Sequence, residues 1–192
     1  LDRHGIKGLC GDLSNLEGIA TTIRSTRPDV VVNAAAYTAV DTADSEIEKA
    51  ITVNSTALEV IATEVLELDA LLIHYSTSYV FGNNSTRPWK ENDLTYPLNA
   101  YGRTKLAGEE AIKRSRCRYL IFRTSWVHSA YGKNFWKTVI RLAGITSHLK
   151  VINNQFSTPT SADLIADVTT RVIGTANKSK HNNTYHLVSA GK

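Results

Sequence analysis

The strongest constraint on this chain is the alternation of short, near-continuous apolar runs with longer segments of helical period. Val30-Val31-Val32 and Leu71-Leu72-Ile73 show no polar alternation, which suits strands of a parallel sheet covered on both faces. In chain order, the pattern predicts a helix over Asn15 to Ser25 capped by Ser14, then a strand over Asp29 to Ala35. A helix over Ser45 to Leu68, a strand over Ala70 to Ser76, a helix over Asn99 to Arg114 and a strand over Arg118 to Thr124 follow. Beyond these lie a helix over Asn134 to Ala143, a strand over Leu149 to Asn153, a helix from about Ser161 to Ala176 and a strand over Thr184 to Val188. This βαβ order, with right-handed crossovers, predicts an α/β, doubly wound, Rossmann-like parallel sheet. The connection from Gly82 to Leu98 is long for a compact domain, which points to a functional loop.

Ligands of open α/β sheets lie beyond the carboxyl ends of the strands. The first strand ends in Asn33-Ala34-Ala35-Ala36, small residues that either admit a flat ligand close to the backbone or pack tightly against a helix. The second ends in Ser76-Thr77-Ser78, three hydroxyls that also read as strand-end caps. The third runs into Arg123-Thr124-Ser125-Trp126, where Trp126 is either core or an apolar wall for a sugar or base. One helical stripe, Ile47, Ile51, Asn54, Leu58, Ile61, Val65 and Leu68, is interrupted by Asn54, a buried amide that must find partners.

Tyr101 and Lys105 stand four residues apart behind Pro97-Leu98-Asn99, so one helix face presents both. An ammonium beside a phenol is expected to pull the tyrosine pKa down from about 10 towards neutrality. Such a phenol can hand its proton to a developing alkoxide. With 8 Tyr in 192 residues, roughly half a Tyr-x-x-x-Lys match arises by chance, so the surroundings decide.

Composition narrows the classes further. A 42% hydrophobic and 21% charged chain is ordinary for a soluble globular protein. No apolar run approaches the ~20 residues of a membrane span, and no signal-peptide pattern opens the chain, so a cytoplasmic location is expected. Cys10 and Cys117 read as reduced, buried thiols. The net charge of +4 is dispersed apart from Lys113 to Arg118, read as a solvated edge, so neither nucleic acid nor membrane is expected as a partner. A chain that starts at Leu1 and lacks Met is expected to be a fragment.

Asn33-Ala34-Ala35, Asn54, Ser76-Thr77, Tyr101-x-x-x-Lys105 and Arg123-Thr124-Ser125-Trp126 together resemble the extended short-chain dehydrogenase/reductase superfamily. Within it the match is to the dTDP-4-dehydrorhamnose reductase family. Cys10-Gly11-Asp12-Leu13-Ser14-Asn15, Asn99-Ala100-Tyr101-Gly102-Arg103-Thr104-Lys105 and Tyr185-His186-Leu187-Val188 carry that resemblance along the whole chain. It implies reduction of the C4 ketone of dTDP-4-dehydro-L-rhamnose by NADPH or NADH, a step towards bacterial surface polysaccharide. By matching position, Tyr101 is the general acid, Lys105 holds the nicotinamide ribose and tunes Tyr101, and Thr77 bonds the keto oxygen. Asp12 and Leu13 would meet the adenine, Ala34, Ala35 and Ala36 the cofactor backbone, and Asn54 the network behind the site. Asp2 and Arg3 would receive the adenine ribose or its phosphate, and Ser78, Trp126 and Asn134 would face the dTDP-sugar. A homodimer and magnesium (Mg2+) come by resemblance alone.

The family's opening strand and glycine-rich pyrophosphate turn are not in these 192 residues, so the strand over Asp29 to Ala35 is expected to expose an edge. Ser78, Asn154 and Ser157 stand where the family usually has Asp, Asp and Gly. The competing readings are another nucleotide-sugar epimerase or dehydratase of the same superfamily, and a non-catalytic regulatory homologue such as the β subunit of methionine adenosyltransferase.

Overall fold

The computed structural model describes residues 8–82, 85, 87–132, 134–151, 155–175 and 182–191. Asp2, Arg3 and Asn154 lie outside the described residues. In chain order the elements are α1 (Leu16–Thr26), β1 (Val30–Asn33), α2 (Ile47–Ile51), α3 (Ala57–Glu67), β2 (Leu71–Thr77), α4 (Ala100–Ser115) and β3 (Arg118–Thr124). They continue with β4 (Val127–His128), α5 (Phe135–Ala143), β5 (Thr160–Ser161), α6 (Ala162–Thr175) and β6 (Asn182–His186). The chain forms two compact units, one of Leu1–Arg123 with Lys178–His186, the other of Thr124–Asn177 with Leu187–Lys192.

The first unit holds a four-stranded sheet in the order β1-β2-β3-β6. Val30 pairs in parallel with Leu71, and Tyr119 in parallel with Asn182. This is the α/β, Rossmann-like architecture the alternation predicts. Among the described residues β1 is an outer strand, the position of an unpaired edge, and its Val32 is exposed. Ile19 and Ile23 of α1, Leu58, Ile61 and Val65 of α3, Leu72 of β2, Ile112 of α4 and Ile121 of β3 share one buried cluster. Burying each such side chain contributes roughly 1.5–3 kcal/mol. Cys117 joins that cluster, and burial pushes its thiol pKa up. It therefore behaves as a small apolar residue.

Several boundaries differ from expectation for local reasons. The first helix starts at Leu16, because Asn15 rather than Ser14 caps it, accepting from the Gly18 amide at 3.0 Å. The expected helix from Ser45 to Leu68 is divided: a π-helical turn over Thr52–Thr56 separates α2 from α3. Helix α4 presses against this turn. A Cβ on Gly108 would collide with the carbonyl oxygen of Asn54 and with Leu58, so only glycine permits the approach.

The second unit pairs the two-residue strands β4 and β5 in parallel, Val127 opposite Thr160; neither was expected. Leu149 to Val151 form no strand, and the rest of that predicted element lies outside the described residues. Helix α5 forms as expected, capped by Asn134, but buries none of its residues.

Candidate active site

Strand β2 delivers Thr77, and α4 delivers Tyr101 in its first turn. Asn99 starts that helix by accepting from the Gly102 amide at 2.8 Å, the usual N-cap device. A side chain at Gly102 would run into the carbonyl of Tyr79, so the start of α4 lies directly on the turn that follows β2. This contact brings the Tyr101 phenol to the Thr77 hydroxyl, with which it is hydrogen-bonded. The Tyr79 ring adds an edge contact at 5.7 Å. Thr77 also accepts from the Tyr79 amide at 3.2 Å, which fixes its rotamer.

Lys105 lies one helical turn further and is 1% exposed. Its Nζ donates to the Tyr75 carbonyl at 2.8 Å and stands 3.2 Å from His74 Nε2. Burial lowers its pKa from 10.5 to about 8, opposed in part by the charge of Glu109. The expected depression of the Tyr101 pKa is therefore overturned. Burial pushes the phenol above 10, the Thr77 hydrogen bond opposes this, and nearby Tyr79 adds to the rise. An i,i+4 spacing shares a helix face, but here the amine is turned onto β2.

Two carboxyl-end features steady this arrangement. Glu109, fully buried on α4, accepts from Nε and Nη2 along one edge of the Arg123 guanidinium at 2.9 and 2.7 Å. Burial alone would raise its pKa, but the Arg123 hydrogen bonds and charge, helped by Ser76 and Lys113, outweigh that and lower it. Arg123 also donates to the Glu91 carbonyl at 3.1 Å and lies over the Phe81 ring. Trp89 stacks on Phe81, and the Glu91 carboxylate accepts from the His186 amide at 3.0 Å. Arg87 clamps Asp93 through two hydrogen bonds of 2.8 Å, holding that carboxyl far below its usual range. Among its described residues, the long connection after Gly82 is thus fastened to β3 and β6.

Asn54 fulfils the expectation of a buried amide with partners. Its oxygen accepts from the Tyr37 amide at 2.9 Å, and its nitrogen donates to the Tyr37 carbonyl and to Thr104, both at 3.1 Å. The π turn supplies the extra residue that aims it there, a use for which such turns recur at functional sites. Asn54 therefore stands behind the site, tying the chain beyond β1 to α4, rather than on a ligand-facing surface. Ala34 and Ala35 are exposed and Ala36 half-buried beyond β1, as a ligand-facing stretch requires. Ser78, half-buried, opens the turn after β2.

The remaining expected residues fall less simply. The Leu13 side chain belongs to the buried core, which leaves only its backbone for an adenine. Asp12 is exposed, and its carboxylate accepts from the Ser14 amide and hydroxyl at 2.9 and 2.7 Å; these bonds lower its pKa. Trp126 and Asn134 belong to the second unit. There the Trp126 ring meets Phe135 edge-on at 5.2 Å. Asn134 caps α5 through the Lys137 amide at 3.1 Å and donates to the Ser129 carbonyl at 2.7 Å. It also lines a surface depression with His128, Ser129, Ala130, Trp136 and Pro159. Ser157 hydrogen-bonds Ser125. The sequence reading missed His74, although a histidine inside the apolar run of β2 was its signal. Among the described residues no group of three His, Cys, Asp or Glu could hold a metal ion.

A parallel, helix-covered sheet with threonine, tyrosine and lysine gathered at its carboxyl end defines a Rossmann-like α/β protein with a polar candidate site. The chain belongs to the RmlD substrate binding domain family, whose pattern it matches over residues 2–192. It is 54% identical to a dTDP-4-dehydrorhamnose reductase of Escherichia coli, over 95% of this chain and 61% of that protein. With its Salmonella typhimurium namesake it shares 52%, over 100% of this chain and 64% of that protein. A crystal structure of dTDP-4-dehydrorhamnose reductase from Bacillus anthracis in complex with NADP superposes with a TM-score of 0.86 at 31% identity, covering 94% of this chain and 63% of that one. An orthologue from Clostridium acetobutylicum gives 0.86 at 34% identity, over 94% and 62%. The chain spans a little over three fifths of the curated relatives named here.

Proposed function

We propose that the full-length protein containing this chain reduces the C4 ketone of dTDP-4-dehydro-L-rhamnose to dTDP-L-rhamnose in the cytosol. The observation that carries the proposal is the Thr77–Tyr101 hydrogen bond with buried Lys105 one turn behind it. The exposed Ala34 and Ala35 beyond β1 fit the close approach of a nicotinamide dinucleotide, and the related Bacillus anthracis reductase is described with NADP. NADPH or NADH, when bound, supplies the hydride. Ala34, Ala35 and Lys105 would hold it, with Asp12 at its adenine end. Among the described residues no cluster suited to a metal supports a role for magnesium; a homodimer is part of the proposal and is read by sedimentation.

As hydride reaches C4, negative charge grows on the ketone oxygen. A phenol whose pKa is raised above 10 remains protonated at neutral pH, so Tyr101 is charged with the proton that the alkoxide takes. Thr77, held by the Tyr79 amide, orients that phenol and offers its own hydroxyl to the same oxygen. These dipoles are fixed before the reaction, so little reorganisation opposes charge development. Ser78, in place of the usual carboxylate, leaves this end of β2 uncharged.

The test is the loss of NADPH absorbance on addition of dTDP-4-dehydrorhamnose to the full-length protein. Tyr101→Phe should lower the rate by about 10²–10⁴-fold while leaving the fold intact. Unchanged turnover would remove Tyr101 as proton donor, and a different sugar product would favour an epimerase or dehydratase.

A further inference from the structure

Lys105 hydrogen-bonds no carboxylate among the described residues. Its buried polar contacts are the Tyr75 carbonyl and the His74 ring, and His74 is in turn met by Asn33 of β1, with Nδ2 3.2 Å from Nδ1. Asn33 and His74 are 6% and 1% exposed. No water is needed to relate the three groups: they form one row across β1, β2 and α4.

The row has a direction, fixed at its far end. The Asn33 side-chain oxygen accepts from the Ala35 amide at 3.1 Å, so the side of the amide facing His74 is NH₂, a donor. A donor at Nδ1 requires a lone pair there. A neutral imidazole carries one proton, which must then sit on Nε2, pointing at Lys105 Nζ. An ammonium has three donors and no acceptor, so it cannot receive this N–H, whereas a neutral amine can. For Lys105 to stay charged, the His74 proton must move to Nδ1, where it confronts the Asn33 NH₂. That clash is relieved only if the Asn33 amide turns and leaves the Ala35 N–H without its acceptor.

We infer that Asn33 and His74 are positioning residues that favour the neutral amine of Lys105 and thereby set the pH range over which the Tyr101–Lys105 pair works. The inference deepens the reductase reading given above and rests on it for its kinetic consequence. Other charges around Lys105 do not reverse the preference. On its own helix Glu109 favours the ammonium, but that carboxylate is already shared by Arg123 from β3 and Lys113. Tyr101, the remaining titratable group on that face, is a neutral phenol bonded to Thr77. His74 itself is kept neutral by its burial, and a Lys105 ammonium beside it would lower its pKa further. Loading the site would then couple Lys105 protonation to the Asn33 amide, immediately before the exposed Ala34-Ala35 stretch.

Two measurements on the full-length protein test this without relying on turnover. In long-range ¹H–¹⁵N spectra of the ligand-free wild type above about pH 9, where a Lys105 that titrates near 8 is a neutral amine, His74 should be neutral with its proton on Nε2. A proton on Nδ1 would overturn the inference, and no substitution is involved in that reading. With ¹³Cε-lysine labelling, Lys105 should titrate near 8. In His74→Gln, whose amide can turn its oxygen to Nζ, the midpoint should rise by about one pH unit, a tenfold gain in proton affinity. A folded His74→Gln protein with an unmoved midpoint would also overturn it. In the active enzyme the alkaline-side inflection assigned to Lys105 in the rate profile should move by the same amount. If the spectra behave as expected but NADPH is not consumed, the reductase reading fails and the Asn33–His74 control of Lys105 stands.

Discussion

Helices α4 and α5 begin in the same way and end in different circumstances. Each is opened by an asparagine whose side chain accepts from the backbone amide three residues on, Asn99 from Gly102 and Asn134 from Lys137. Helix α4 buries eight residues, among them Lys105 and Glu109. Helix α5 buries none, and its Ile140 is 71% exposed. A cap and a periodic pattern thus specify that a helix forms, and do not specify what it will be held against. In α4 the holding is done by glycines that admit neighbouring backbone and by an ion pair shut away from water. These constraints convert an ordinary amphipathic helix into a carrier of reactive groups.

The contrast is most sharply broken at Arg123. Arg123→Met leaves the Glu109 carboxylate buried and unpaired, which should cost about 3–5 kcal/mol in denaturant unfolding at neutral pH. The sign with pH follows from the depressed Glu109 pKa: the wild-type pair stabilises above the unfolded carboxylate value and loses that contribution as pH falls through the folded one. The deficit of the variant should therefore shrink on acidification; a constant deficit would mean that packing rather than charge is at stake.

Lys105 offers a comparable effect of opposite character. Its folded pKa of about 8 lies below the ordinary 10.5, so between these values the unfolded chain binds more protons. Wild-type stability should rise with pH across that window, by roughly 3 kcal/mol from this group. Lys105→Met should flatten the rise relative to wild type, and an unchanged slope would show that the amine is not desolvated as described. Gly108→Ala should cost about 1–3 kcal/mol, because the added methyl must displace the Asn54 backbone. At the other end of the comparison, Ile140→Ser on α5 should shift stability of this chain by no more than about 0.5 kcal/mol. A larger loss would show that α5 is packed after all.

Much of the first unit was legible because its signals are local. The apolar run of β2 and the Asn99 cap of α4 place both elements within a residue of where they lie. The π turn was not legible: seven stripe positions in 4-3 spacing look like one helix, and only the bonding demand of Asn54 reveals the extra residue. The site residues Thr77, Tyr101 and Lys105 were readable as types at the right strand end and helix face. The electrostatics were not. Spacing cannot say that the Lys105 amine turns to Tyr75 and His74, nor that burial raises the Tyr101 pKa. The burial of the Leu13 side chain was not legible, because an apolar side chain after a loop can face either a ligand or the core. In the second unit, strands of two residues carry too little pattern to be seen.

The fastened connection after β2 has a practical consequence for anyone wishing to graft sequence into this protein. Long surface segments are ordinarily the most forgiving hosts for inserted peptides or tags. Here Trp89, Glu91 and the Arg87–Asp93 clamp join that segment to the strand carrying Arg123, so a graft between Arg87 and Asp93 would loosen the support of α4 from a distance. The exposed turn at Tyr131-Gly132, where glycine already takes a left-handed backbone, is the better place to cut and splice.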